Sequence, residues 1–172
     1  MGKKPWQIGL YFPFDTTYAK TEYIQKIEVL LSKGLGFKRK ASKFRVRLFS
    51  VSKDSLPESD LINENIIVTA SKKQKEVIIN LAKYNIVFPK NGLFITLEGL
   101  AIPFNEIKRS YTMIDEKGKK SKVKKETAYV PSFKSFLSEP KKFLVVHIIM
   151  VFGGNIPFRI KKKRNNLFLQ YP

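Results

Sequence analysis

Apolar and polar residues alternate with a period of two along much of this chain, in short runs broken by turn residues. Residues 43–51 show the pattern most cleanly. Phe44, Val46 and Leu48 fall on one side, and Lys43, Arg45, Arg47, Phe49 and Val51 on the other. Residues 23–31 repeat it, with Tyr23, Gln25, Ile27, Val29 and Leu31 as the more apolar side, predicted to face a core, and Ile24, Lys26, Glu28 and Leu30 opposite. The stretch 60–100 adds runs at 61–69, 76–81, 86–88 and 93–100. Within it Lys90-Asn91-Gly92 reads as a turn, because Asn-Gly readily supplies positive φ. Further strands are expected at 7–14, 107–114, 127–133, 142–152, 156–160 and 167–171. Residues 52–59, around Pro57, read as a loop, and 116–125 (EKGKKSKVKK) as a polar hairpin tip or loop with nothing to bury. A turn or two of helix is the only helical expectation, at 132–137. About ten short strands separated by turns predict an all-β fold, an antiparallel β-sandwich of jelly-roll type. No repeat and no linker interrupts it, so residues 1–172 read as a single domain.

Composition narrows the chemistry. At 172 residues and 43% hydrophobic content the chain can bury a core without metal or disulfide. It has no cysteine, which excludes disulfides, thiolate nucleophiles and Cys-ligated zinc. Its one histidine, His147, excludes a multi-His metal site, and a Ser-His-Asp triad would have to use it. In FLVVHIIMVF that residue shares a side with Phe143, Val145, Ile149 and Val151, the setting of a hydrogen-bonded, half-buried core histidine. No cofactor and no catalytic activity are therefore expected. The most apolar run, 143–152, falls far short of the roughly 20 residues a spanning helix needs, so no transmembrane segment is expected. No signal peptide is visible at the start, where residues 1–6 lead directly into a strand-like pattern.

Several of these runs follow a recurring order. FRVRLFSV at 44–51, Leu56-Pro57 and DLINENIIV at 60–68 come first; VIINL at 77–81, YNIVFP at 84–89 and GLFITLE at 92–98 follow. Together they resemble an uncharacterised Bacteroidetes β-sandwich family, related to a region found in carboxypeptidase-like regulatory-domain proteins. The likeness covers about residues 7–102. It implies a jelly-roll-like sandwich of the periplasm or outer-membrane surface, and it implies no peptidase activity and no catalytic residue. This chain departs from it in carrying no regulatory module before residue 7 and in being unusually basic.

The net charge of +19 will draw polyanions, whether nucleic acid, anionic lipid or acidic polysaccharide. Three runs carry much of it: Lys38-Arg39-Lys40 with Lys43, Arg45 and Arg47; Lys117, Lys119, Lys120, Lys122, Lys124 and Lys125; and Lys161-Lys162-Lys163-Arg164. Basic strands interleaved with Tyr and Phe can contact phosphates and stack bases, although no RNP motif, helix-turn-helix or zinc finger directs such binding. A solvated lysine-rich surface accounts for the same runs. Trp6, Tyr11, Tyr18 and Tyr23 form a candidate sugar-stacking platform, with strand-end and core packing as the ordinary explanation. Glu98, inside LFITLEGL, is expected on an exposed face or paired with Lys or Arg, with a ligand hydroxyl or cation as the functional alternative. Asp54, Glu58, Asp60 and Glu64 flank the Pro57 loop without EF-hand spacing, and turn chemistry explains them better than calcium. The leading functional expectation is a non-enzymatic envelope module, acting in binding or as a structural part, with a glycan or another anionic envelope polymer, or a protein, as its partner. The alternative is a basic β protein that binds nucleic acid.

Overall fold

The computed structural model describes residues 6–14, 23–32, 40–114, 118, 120–138, 143–146, 148–152, 157–158 and 169–170. It is an antiparallel β-sandwich, as the alternation predicts. The first sheet contains β1 (Trp6–Phe12), β3 (Ser42–Val51), β4 (Pro57–Asp60), β5 (Ile66–Ala70), β7 (Leu93–Gly99) and β15 (Leu169–Gln170). Its order is β15-β1-β7-β3-β4, with β5 also paired to β3. The second sheet contains β2 (Ile24–Ser32), β6 (Glu76–Asn80), β10 (Ser132–Phe133), β13 (Ile148–Phe152) and β14 (Pro157–Phe158). Two separate two-stranded ribbons pair β8 (Glu106–Ile114) with β9 (Lys120–Tyr129), and β11 (Ser135–Ser138) with β12 (Phe143–Val146).

One core lies between the sheets. The first sheet gives it Ile8, Leu10, Phe12, Phe44, Val46, Leu48, Leu93, Ile95 and Leu97, and the second gives Ile27, Val29, Val77, Ile79, Ile148 and Met150. Each such side chain fully withdrawn from water contributes about 1.5–3 kcal/mol before chain entropy is charged against it. Phe133 spans the layers: its ring meets Trp6 at 5.5 Å and Phe44 at 5.1 Å, both edge-on. Opposite Trp6 in the ladder stands Gly99, where an added Cβ would lie 2.4 Å from the indole, so the ring occupies the space a side chain would fill. The Lys90-Asn91-Gly92 turn forms as expected, with Gly92 at φ +91° and its N–H donating to Pro89 O at 2.9 Å.

Several local expectations are corrected. The proposed loop 52–59 contains the start of β4; Pro57 is tolerated because it opens an edge strand, where no ladder donor is needed. The run 61–69 becomes a strand only from Ile66, and 86–88 makes only an isolated bridge, Val87 to Tyr23. Residues 120–125, expected in a tip or loop, belong to β9. The helical expectation at 132–137 fails, since that stretch holds β10 and β11. In β2 the alternation slips. Val151 pairs with Lys26 but Phe152 with Ile24, so Gln25 is an extra residue and the phase shifts across it. Ile24 is accordingly buried and Tyr23 half exposed, the reverse of the expected sides. His147 lies outside the described residues.

A fully buried side chain, Asn105, ties the ends of several elements. Its Oδ1 accepts from Lys43 N–H at 2.7 Å, and its Nδ2 donates to Lys43 O at 2.7 Å and Leu100 O at 2.8 Å. The amide thus imitates a neighbouring strand for the first turn of the ladder at β3. The Asn105 carbonyl also accepts from Val130 N–H at 3.0 Å, anchoring the root of the β8–β9 ribbon.

Candidate functional site

The outward face of the first sheet gathers the charged and polar side chains that alternation excludes from the core. The strand register sets them in rows. Gln7, Glu98, Arg45 and Ile67 make one; Gly9, Thr96 and Arg47 the next; Tyr11, Phe94, Phe49 and Asp60 the third. In the first row Arg45 Nη1 donates to Glu98 Oε2 at 3.0 Å, the pairing expected for Glu98. Between the second and third rows Arg47 meets Asp60 with two parallel bonds, Nε to Oδ1 at 3.1 Å and Nη2 to Oδ2. The Arg47 guanidinium also lies over the Phe49 ring, 4.6 Å from its centroid. Gln7 Nε2 donates to Thr96 Oγ1 at 2.6 Å.

Arg47 stands between two cavities. One, about 240 Å³, has Gly9 and Thr96 in its lining with Gln7, Phe49, Phe94, Pro57 and Glu58 around them. Gly9 keeps this floor open, because a Cβ there would already press on Thr96 Cγ2 at 3.1 Å. The other, about 290 Å³, is lined by Arg45, Asp60, Asn63, Glu64 and Asn65 over the backbone of β3. Its origin is topological. β5 holds the outer edge of β3 at residues 42–46 and β4 holds it at 49 and 51, so the chain between β4 and β5 loops away and leaves a wedge. Glu64, on the wall of that wedge, accepts from Lys83 Nζ at 3.1 Å and Tyr84 Oη at 3.2 Å. The Lys83 hydrogen bond, then its charge, then the Tyr84 hydroxyl hold the Glu64 carboxyl below the ordinary glutamate range. Reciprocally, the bonds from Glu64 and Tyr84 hold Lys83 above the ordinary lysine range.

The aromatic platform expected from the N-terminal residues is not assembled. Trp6 faces inward onto Gly99 and Phe133. Tyr11 is on the outward face, its ring 5.2 Å from Phe94 and its hydroxyl donating to Asn91 O at 3.1 Å. Tyr23 precedes β2 and makes an isolated bridge to Val87, and Tyr18 lies outside the described residues. Of the first basic run, Lys38 and Arg39 also lie outside them. Lys40 donates to Glu106 O at 2.8 Å, and Lys43 sits 5.2 Å from the Phe104 ring centroid. Arg45 and Arg47, read as cations for phosphate, are each matched to a carboxylate. Sequence reasoning missed Gln7, Thr96, Asn63 and Asn65, which carry the polar lining of the cavities. Alternation alone puts Thr96 on the same side of its strand as Glu98, two residues on; that Gln7 meets it follows from the strand register.

Of the acidic residues around Pro57, Asp60 is committed to Arg47 and Glu64 to Lys83 and Tyr84. Among the described residues no group of three or more His, Asp or Glu side chains is placed to hold a metal ion, and no helix is long and apolar enough to cross a membrane. The second basic run enters the β8–β9 ribbon at Lys120, Lys122, Lys124 and Lys125, and the third lies outside the described residues. No family model, no curated protein and no solved structure matches the chain.

Proposed function

We propose that this chain is a non-enzymatic β-sandwich binding module of the bacterial envelope, and that it contacts a glycan through the outward face of its first sheet. The observation that carries the reading is the pair of adjoining cavities divided by Arg47, where amide, hydroxyl, carboxylate and guanidinium groups converge beside Phe49. Saccharides are recognised by that mixture, because each hydroxyl both donates and accepts. The envelope location rests on the sequence resemblance. The test is a glycan array followed by calorimetry on the full chain and on the double variant Gln7→Leu/Thr96→Val. Removing both members of a hydrogen-bonded pair while keeping shape is close to neutral for stability. The variant should therefore fold normally and bind about tenfold more weakly or worse, the loss of roughly 1.4 kcal/mol. Equal affinity in both proteins, or a blank array, sinks the reading.

A second reading, nucleic-acid binding, is favoured by the β8–β9 ribbon, which among the described residues forms a two-stranded sheet of its own and places Ser110 opposite Lys125 and Tyr111 opposite Lys124. It requires affinity for duplex or single strands that falls steeply with salt, by about 0.7–0.9 in log–log slope for each phosphate contacted.

A further inference from the structure

We infer that the two cavities select an uncharged saccharide and reject acidic ones, although the chain carries a net charge of +19. The inference rests on the reading of this face as a glycan-binding surface, and it names the class of glycan.

A protein this basic would ordinarily be assigned an acidic ligand. The cavity linings do not share that excess of positive charge: Arg45 and Arg47 stand with Asp60 and Glu64 in one, and Arg47 with Glu58 in the other. The cations in their linings are Arg45 and Arg47. Arg45 is engaged by Glu98 at 3.0 Å, and Arg47 by Asp60 through two donors, with its flat face over Phe49. Two further carboxylates, Glu58 and Glu64, stand on the walls. Glu64 is itself paired with Lys83 at 3.1 Å, and Lys83 and Tyr84 hold its carboxyl below the ordinary glutamate range.

A uronate or sulfate entering either cavity would find carboxylates matching the guanidiniums of the lining, with no surplus of cation to receive it. Asp60 already takes Nε and Nη2 of Arg47 and Glu98 takes Nη1 of Arg45, so at the remaining donors it would share each cation with a carboxylate already in place. A cationic ligand is disfavoured from the other direction, since the field of the whole molecule repels it on approach. An uncharged, hydroxyl-rich ligand meets neither obstacle. The Asn63, Asn65 and Gln7 amides offer it both donors and acceptors, and the buried Thr96 hydroxyl holds the Gln7 amide in place. At about 240 and 290 Å³ each cavity falls just short of the roughly 300 Å³ at which pockets for drug-sized molecules begin. One sugar ring per cavity fits that size, with Arg47 between neighbouring units.

The experiment pairs neutral gluco-, manno- and galacto-hexasaccharides with the same oligomers oxidised at C6 to uronates. Each is titrated calorimetrically against the full chain at about 0.15 M and about 1 M NaCl, between which the Debye length shortens from about 8 Å to about 3 Å. The neutral form of at least one oligomer should bind about tenfold more tightly than its oxidised form, because carboxylates already in place match the cations of the lining. Its affinity should hardly change with salt and should be lost in Gln7→Leu/Thr96→Val. Glu58→Gln/Glu64→Gln should narrow the gap by admitting the oxidised form. If an oxidised oligomer binds more tightly than its neutral parent, and Gln7→Leu/Thr96→Val abolishes that binding, the selectivity is refuted while the face remains a glycan site. If no oligomer of either kind binds in a manner sensitive to Gln7→Leu/Thr96→Val, the reading of the face fails and the inference with it.

Discussion

On the outward face of the first sheet the ion pairs run between strands: Arg45 on β3 to Glu98 on β7, and Arg47 on β3 to Asp60 on β4. On the outward face of the second, Lys26 meets Glu28 within β2 itself at 3.2 Å, and Ile78, the register partner of Glu28, is 58% exposed. Both faces obey the same alternation. They differ in what flanks the central strand. β2 is paired by β13 over 24–29 with a bulge at Gln25, by β6 over 26–30 and by β10 at 31–32, and these partners follow one another closely along it. β3 has β7 on one side but shares its other side between β4 and β5, and the wedge between them becomes a cavity. A two-residue period therefore says which side of a sheet meets water. Whether that side can hold a ligand depends on where the neighbouring strands begin and end.

The comparison can be broken most severely at Asn105, which serves β3 and has no counterpart among the described residues of the second sheet. Asn105→Ala should strand Lys43 N–H and the Lys43 and Leu100 carbonyls, at about 1–3 kcal/mol per buried group left unpaired. A total loss of about 3–5 kcal/mol is expected in urea unfolding, with hydrogen exchange rising first at the start of β3 while β2 stays protected. Gly99→Ala should cost less, about 1–3 kcal/mol by the usual penalty for overpacking, because the new methyl forces Trp6 off the strand. Tryptophan fluorescence should shift to the red as the indole gains water. An unshifted spectrum with unchanged stability would show that the indole does not depend on the glycine.

The smallest effect sharpens the comparison at the wall of the wedge. Glu64 is depressed in the folded chain, so its contribution is present above the ordinary glutamate value and is lost as pH falls through the folded one. Lys83 is raised, so its contribution is present below the ordinary lysine value and is lost as pH rises through the folded one. Between about pH 5 and pH 10 the pair should be intact. Both groups are in water, so stability should barely register it. Carbon NMR should place the Glu64 midpoint below the normal glutamate range, and Lys83→Met should return most of the way toward it. An unshifted midpoint in the parent chain would remove the pair from the cavity wall.

Much of the sandwich was legible because its strands have one dry side and one wet side. The clean alternation of 43–51 named the inward Phe44, Val46 and Leu48 and the outward Arg45 and Arg47, and the Glu98 pairing followed from its place in an apolar run. Elsewhere the signal was absent for physical reasons. β9 is one arm of a ribbon with Lys125 exposed near its middle, so it lacks the apolar side that marks a strand. The bulge at Gln25 shifted the phase of β2, which no count of residues reveals in advance. The site was half legible. Its arginines and Glu98 stood out by charge, whereas Gln7 and Thr96 matter through a cross-strand meeting that only the register supplies. For Trp6 the ordinary explanation, strand-end and core packing, is the one the structure shows, its indole lying against Gly99 and Phe133.

The divided margin of β3 bears on how this protein avoids its own kind. A long, flat, unpaired strand edge invites a second chain to add itself by backbone hydrogen bonds, and repetition of that step makes fibres. Here the margin is covered by a segment of four residues and another of five, separated by a gap whose rim carries Asp60 and Glu64. An incoming strand finds neither enough uninterrupted length nor an uncharged path across the break. The arrangement that opens the wedge also guards this edge of the sheet against polymerisation.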